Sequence, residues 1–140
     1  MRDEVRQALE IGPSATIEER TIDITTIGRR SGQPRRIEIC FYRFEDSIYL
    51  SGVPSPRTRD WLNNLAENPQ FVFHLKARVS ADLTATATVI TDSNERRRVL
   101  SAFVDEFNLR NREGSSWPRA EVDAWVDASP LARVAFVESL

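Results

Sequence analysis

Two periods alternate along the chain. Residues 3–10, D-E-V-R-Q-A-L-E, predict a short helix that ends at the breaker Gly12-Pro13. From Thr21 to Ile27 the pattern changes to a period of two, with Ile22 and Ile24 on one face and Asp23 and Thr25 on the other. Ile37, Ile39 and Phe41 then alternate with Glu38, Cys40 and Tyr42, and the Gly- and Pro-bearing connection between the two runs predicts a β-hairpin. A third strand, S-I-Y-L-S, follows the turn at Glu45-Asp46. Over residues 55–68 the period becomes helical: Ser55 is placed as N-cap, Pro56 at the first helical position, and Trp61, Leu62, Leu65 and Ala66 share one side. Asn68-Pro69 stops that helix. Q-F-V-F-H-L-K and D-L-T-A-T-A-T-V-I-T read as two further strands, rich in β-branched and aromatic residues. Asp92 with Glu95 resembles a capping box, ahead of a stripe of Val99, Leu100, Phe103, Val104 and Phe107. A short helix over residues 118–126 carries Val122, Trp125 and Val126, and A-R-V-A-F-V-E closes the chain as a strand.

The order β-β-β-α-β-β-α-α-β is neither a regular βαβ alternation nor a sandwich. It predicts an α+β, mainly β fold, a small and mostly antiparallel barrel of about six strands with helices packed on it. With no repeat, low-complexity tract or linker, residues 1–140 read as one domain.

Composition narrows the function classes. A chain of 140 residues that is 41% hydrophobic and 29% charged is an ordinary globule. No apolar run reaches the roughly 20 residues of a membrane span, and the N-terminus has no apolar signal region. The single Cys40 cannot form an internal disulfide, which suits a reducing cytoplasm, and one histidine with one cysteine argues against a zinc site. A formal charge of −2 gives no bulk attraction for nucleic acid.

Against that slightly acidic background, T-T-I-G-R-R-S-G-Q-P-R-R gathers Arg29, Arg30, Arg35 and Arg36 around two glycines and a proline. Arginine forks match phosphate or carboxylate, and a hairpin tip at Gly28 and Gly32 presents backbone N–H groups. The same stretch also reads as a solvated turn whose arginines pair with surface carboxylates, or as a nucleic-acid contact, although no basic stripe or stacking platform accompanies it.

This turn, together with S-G-V-P-S-P-R-T-R-D-W-L-N-N-L-A-E-N-P-Q-F-V-F, resembles the deazaflavin-dependent nitroreductase family, whose members are FMN-binding-like split β-barrels. The resemblance is close over residues 21–76. It implies a six-stranded split barrel, coenzyme F-420 as cofactor with FMN as the alternative, and hydride transfer to an electron-poor organic acceptor. It implies further that Arg29, Arg30, Ser31, Gly32, Gln33 and Arg35 hold the phosphate and polyglutamate tail, with Arg36 and Ile37 continuing toward the ring. Ser51, Gly52 and Val53 match the loop along the deazaflavin ring, Arg57 a position before the helix, and Trp61, Asn64 and Leu65 the W-x-x-N-L helix. Relatives commonly carry S-K-G-G-x-P where this chain reads S-G-V-P-S-P, and Glu38 stands where proline is frequent. A non-catalytic barrel that binds an anionic small molecule or lipid is the rival reading. A homodimer is expected, with the strand Q-F-V-F-H-L-K as apolar surface to bury.

The remaining residues carry bland expectations. His74 falls opposite Phe71, Phe73 and Leu75, as a surface or dimer-interface histidine. Cys40 reads as a packed thiol, Trp61, Trp117 and Trp125 as core or helix-docking residues, and Arg96, Arg97 and Arg98 as a solvated helix face. Tyr42 and Tyr49 are candidate proton donors that nothing singles out. No nucleophile–base pair supports hydrolysis.

Overall fold

The computed structural model describes residues 1–111 and 116–137. Helices α1 (Asp3–Leu9) and α2 (Ile17–Arg20) precede strands β1 (Thr21–Ile27), β2 (Pro34–Phe44) and β3 (Ser47–Ser51). Helix α3 (Asp60–Glu67), strands β4 (Gln70–Leu75) and β5 (Ala81–Val89), helices α4 (Ser93–Arg110) and α5 (Val122–Ala128), and strand β6 (Leu131–Phe136) complete the order. The six strands close into an antiparallel barrel ordered β1-β2-β3-β6-β5-β4. β1 returns along β2 from Thr21 opposite Cys40 to Ile27 opposite Pro34, and β6 completes the circle between β3 and β5. Closure leaves no edge strand unpaired.

The period of two decides what fills this barrel. Ile22, Ile24, Phe41, Leu50, Phe71, Phe73, Ala85 and Ala132 point inward and are buried. Phe41 and Phe73 meet edge to face with ring centroids 5.4 Å apart, an arrangement that adds about 0.5–1.5 kcal/mol to plain area burial. A second core lies outside the barrel, where α4 and α5 cover Tyr42, Tyr49 and Leu131. Phe103 of α4 stacks on Tyr42 at 4.7 Å. Both tyrosines are thus structural, and burial pushes the Tyr42 hydroxyl pKa up.

Four local outcomes differ from the pattern reading. Helix α3 starts at Asp60 rather than after Ser55, and its N-cap Arg59 makes no side-chain cap. Ser55 instead donates its Oγ to Arg57 O at 2.8 Å and its N–H to Ala128 O, which pins residues 55–59 to the end of α5. Asp92 does cap α4, accepting from the Glu95 N–H at 2.8 Å, but the Glu95 carboxylate meets Arg133 at 2.7 Å in place of the reciprocal bond. The capping box that does form is Thr16 with Glu19, on α2. Arg96 is no solvated residue: its guanidinium donates to the carbonyls of Ile90, Val126 and Ser129 and ties α4 to the end of α5. Trp61 and Trp125 are buried, whereas Trp117 is 55% exposed with its ring edge-on to Phe107.

Arg20 is 0% exposed and tethers the N-terminal segment. Its Nη2 donates to Gly12 O, to Pro13 O and, at 2.6 Å, to Glu106 Oε1, while its Nε donates to Ala15 O.

Candidate functional site

The hairpin between β1 and β2 holds itself together. The Gly28 N–H donates to Gln33 O at 2.8 Å, the Gly32 N–H to Gly28 O at 2.9 Å, and the Gln33 N–H to Ser31 Oγ at 3.1 Å. Gly32 takes φ +69°, a left-handed conformation that glycine adopts without strain. A Cβ at Gly28 would lie 2.6 Å from Ser31 Oγ, so that close packing also needs glycine. The glycine amides are therefore engaged inside the turn rather than presented to a ligand. Any anion here meets guanidinium groups instead.

Strand alternation sorts those groups. Arg35 lies opposite Thr26, whose side chain is buried in the barrel mouth, whereas Arg36 lies opposite Thr25 on the outer wall. Arg36 donates its Nε to Asp23 Oδ2 at 3.0 Å, and Lys76 donates to Asp23 Oδ1 at 2.7 Å. The Lys76 and Arg36 contacts hold the Asp23 carboxyl below the usual carboxylate range. Arg36 thus faces away from the other turn arginines.

Helix α3 supplies the opposite side. Its apolar stripe buries Trp61 and Leu65 against the barrel. One turn along, the buried Asn64 accepts the Arg29 N–H on Oδ1 at 3.0 Å and donates Nδ2 to Thr26 Oγ1 at 3.3 Å. Asn64 therefore bolts the basic turn to the helix. The clue to it was the W-x-x-N-L spacing.

Between turn and helix opens a groove of about 460 Å³, lined by Arg29, Arg30, Ser31, Arg35 and Ile37 from the hairpin and by Arg59, Asp60, Trp61 and Asn64 from the α3 side. Its lone lining carboxylate, Asp60, lies 3.7 Å from Arg29 and 3.9 Å from Arg57. Among the described residues Arg30 and Arg35 meet no carboxylate. With Arg59, which forms no ion pair among the described residues either, they leave three uncompensated guanidinium groups lining one groove, and that favours an anion.

A second pocket of about 490 Å³ adjoins it, walled by residues 55–59 and Leu62, by residues 89–91 with Arg96, and by residues 127–130. Arg59 lines both. It donates Nη2 to Val53 O at 2.8 Å, and its Nη1 lies 2.8 Å from where a Gly52 Cβ would stand. A guanidinium thus covers the place where relatives commonly carry lysine.

Of the residues expected at the site, Arg29, Arg30, Ser31, Arg35, Ile37 and Trp61 share the first groove, and Arg57 lies in the second pocket. Gly32 and Gln33 form the tip of the turn. Gly52 and Val53 sit beneath Arg59, while Ser51 is buried and donates its Oγ to Pro130 O at 2.8 Å. Arg59, Asp60 and Thr26 join the groove without having been expected there, and Asn64 enters it from the W-x-x-N-L helix.

His74 is not a surface residue. Only 6% exposed, its ring stands 2.7 Å from Thr25 Oγ1 at Nε2 and 2.7 Å from Asp82 Oδ1 at Nδ1, on the outer wall. Among the described residues no group of three or more His, Cys, Asp or Glu comes together to hold a metal. None of the described helices is long and apolar enough to cross a membrane.

A family profile described as F420H(2)-dependent quinone reductase matches residues 4–113. Among solved structures, a conserved hypothetical protein from Mycobacterium tuberculosis is similar at 17% identity and TM-score 0.66, over 99% of this chain and 82% of that one. A pyridoxamine 5'-phosphate oxidase-related, FMN binding protein from Nostoc punctiforme is similar at 14% identity and TM-score 0.59, over 97% and 80%. An F420-H2 dependent reductase is similar at 18% identity and TM-score 0.51, over 82% and 93%. These likenesses establish the split-barrel fold. No match was found among the curated proteins.

Proposed function

The chain belongs to the F420H(2)-dependent quinone reductase family, a class of deazaflavin-dependent oxidoreductases, and we propose that it transfers hydride from reduced coenzyme F-420 to an electron-poor organic acceptor such as a quinone, enone or nitro compound. The observation that carries this reading is that Arg30 and Arg35 both line the first groove, without a carboxylate partner among the described residues. A phosphate and a polyglutamate tail are the complement such a pair lacks.

When bound, the deazaflavin supplies the hydride. The chain's own residues do the holding. Arg30 and Arg35 clamp the anionic end, Arg29 is fixed by Asp60 and Asn64, and Trp61 and Ile37 provide the apolar wall that excludes water. Gly52 and Val53, which the resemblance places along the ring, lie against Arg59, itself a lining residue of the groove. Arg36 has no part in this cradle. A homodimer belongs to the same reading, although the outer side of β4 offers only the half-buried Val72 as apolar surface, beside Gln70 and His74; light scattering at micromolar concentration reads it.

Fluorescence titration with coenzyme F-420 tests the clamp. A charge-assisted hydrogen bond contributes about 1.5–3 kcal/mol, so Arg30→Ala or Arg35→Ala should weaken binding by roughly ten- to a hundredfold. Raised salt should weaken the wild type more than the double variant. Folded variants that bind as tightly as wild type would remove the clamp from the argument. Tighter binding of FMN than of coenzyme F-420 would favour the flavin alternative.

A further inference from the structure

The second pocket is not explained by a clamp for a phosphate and tail. Its wall carries three guanidinium groups, Arg57, Arg59 and Arg96, against one carboxylate, Asp127. Arg96 is fixed by backbone carbonyls alone: Nε and Nη2 reach Val126 O, Nη1 reaches Ile90 O and Nη2 also reaches Ser129 O, at 2.7–3.1 Å. Neutral carbonyls orient the charge without cancelling it. Arg59 is held the same way, by Val53 O, and neither of the two forms an ion pair among the described residues. Ser129, in the same wall and only 4% exposed, keeps an Oγ with no hydrogen-bond partner. Buried hydroxyls are normally bonded, so this one is a donor left over. Leu62, Val89 and Pro130 supply an apolar remainder suited to a flat ring. At about 490 Å³ the pocket is within the size range of small-molecule sites.

We propose that this second pocket is the acceptor chamber, and that it selects acceptors in which an electron-poor ring carries a carboxylate. The assignment of an acceptor to it rests on the oxidoreductase reading above; the anion preference rests on the pocket itself. Low-dielectric walls around fixed cations focus the field into the cavity, and a guanidinium fork accepts a carboxylate with two parallel bonds. Arg57 is exposed and can swing to the ligand, whereas Arg96 is fixed and contributes field alone. Arg59 lines both chambers and bonds Val53 O, so an acceptor seated against it lies next to the Gly52–Val53 loop and the first groove. The chemistry there would need no new reactant: a deazaflavin held in the first groove would supply the hydride to the acceptor, with the accompanying proton drawn from solvent.

The test uses the full-length chain with 4-nitrobenzoate and, as its uncharged counterpart, 4-nitrotoluene, followed by NMR titration with and without coenzyme F-420. The acid should bind at least tenfold more tightly than the toluene. Arg57→Gln and Arg59→Gln should each lower affinity for the acid about five- to tenfold and leave the toluene unchanged, and Arg59→Lys should retain most of it. Arg30→Ala and Arg35→Ala should not affect 4-nitrobenzoate binding, and saturating coenzyme F-420 should not displace it. Equal affinities for acid and toluene, or indifference to both glutamine substitutions, would overturn the proposal. Loss of 4-nitrobenzoate binding in Arg30→Ala and Arg35→Ala would overturn it too, by placing the anion in the first groove. If coenzyme F-420 fails to bind while the nitrobenzoate pattern holds, the cofactor reading falls and the anion site stands.

Discussion

Replacing Arg20 by methionine should cost more stability than removing any turn arginine, and the loss should depend on pH. Arg20 is 0% exposed and serves four acceptors: the carbonyls of Gly12, Pro13 and Ala15, and Glu106 Oε1 at 2.6 Å. Methionine fills much of the volume but leaves a buried carboxylate unpaired, for which the usual cost is about 3–5 kcal/mol. For a chain of this size that corresponds to a fall in Tm of roughly 10–15 °C. Burial already pushes the Glu106 carboxyl above the ordinary glutamate range, against the opposing pull of Arg20. An acid raised in the folded state binds its proton more tightly there than in the unfolded chain. Stability is therefore fully present below the ordinary glutamate pKa and falls as pH rises toward the folded value. Without Arg20 the folded value climbs further and the window widens upward, so Arg20→Met should be more destabilised at pH 7 than at pH 5. Urea titration followed by tryptophan fluorescence at both pH values reads the difference. Arg20→Met/Glu106→Leu should recover most of the loss, because a buried pair replaced by apolar side chains is often neutral. An Arg20→Met protein within about 1 kcal/mol of wild type at pH 7, or one hurt more at pH 5, would refute this account of the pair.

Three further outcomes follow from single contacts. Asn64→Leu removes the acceptor of the Arg29 N–H and the donor to Thr26; it should cost about 1–3 kcal/mol in chemical denaturation and weaken coenzyme F-420 binding in the same titration that tests the arginines. Arg96→Met frees the carbonyls of Ile90, Val126 and Ser129, and hydrogen exchange should show α5 opening before the barrel. The hydrogen bond from His74 holds the Asp82 carboxyl below its usual range. Its stabilising effect is thus present above the unfolded pKa and lost as pH falls through the folded one. NMR should find this carboxyl titrating low in wild type and returning to the ordinary range in His74→Gln.

The barrel was legible because it is written in a period of two, and Ile22, Ile24, Phe71 and Phe73 have to face one way for the chain to bury them. Its closure was less so: β6 sits between β3 and β5 through pairings of high sequence separation, such as Ile48 with Val134, that no local pattern encodes. Arg96 read as part of a solvated helix face and nothing in the local sequence marks Arg20, since only the folded chain brings the carbonyls of other segments around them. The start of α3 was misplaced because Ser55 and Pro56 carry the signature of a helix start, while the contact that overrides it, Ser55 N–H to Ala128 O, spans most of the second half of the chain.

The basic turn shows the same division at the scale of a site. Its charge was plain in the sequence, and four arginines so close together demanded partners. Which arginines find them is a matter of faces and neighbours. Alternation along β2 turns Arg36 outward to Asp23, and the first turn of α3 brings Asp60 to Arg29. Arg30 and Arg35 are left in the groove, which Trp61 and Ile37 also line. Of a repulsive cluster of four, two guanidinium groups are thereby left without a carboxylate partner among the described residues. Arg59, which joins that groove to its neighbour, was visible only as one letter of R-T-R-D. Its importance comes from the space above Gly52, because a larger side chain there would displace the guanidinium that now lies between the two chambers.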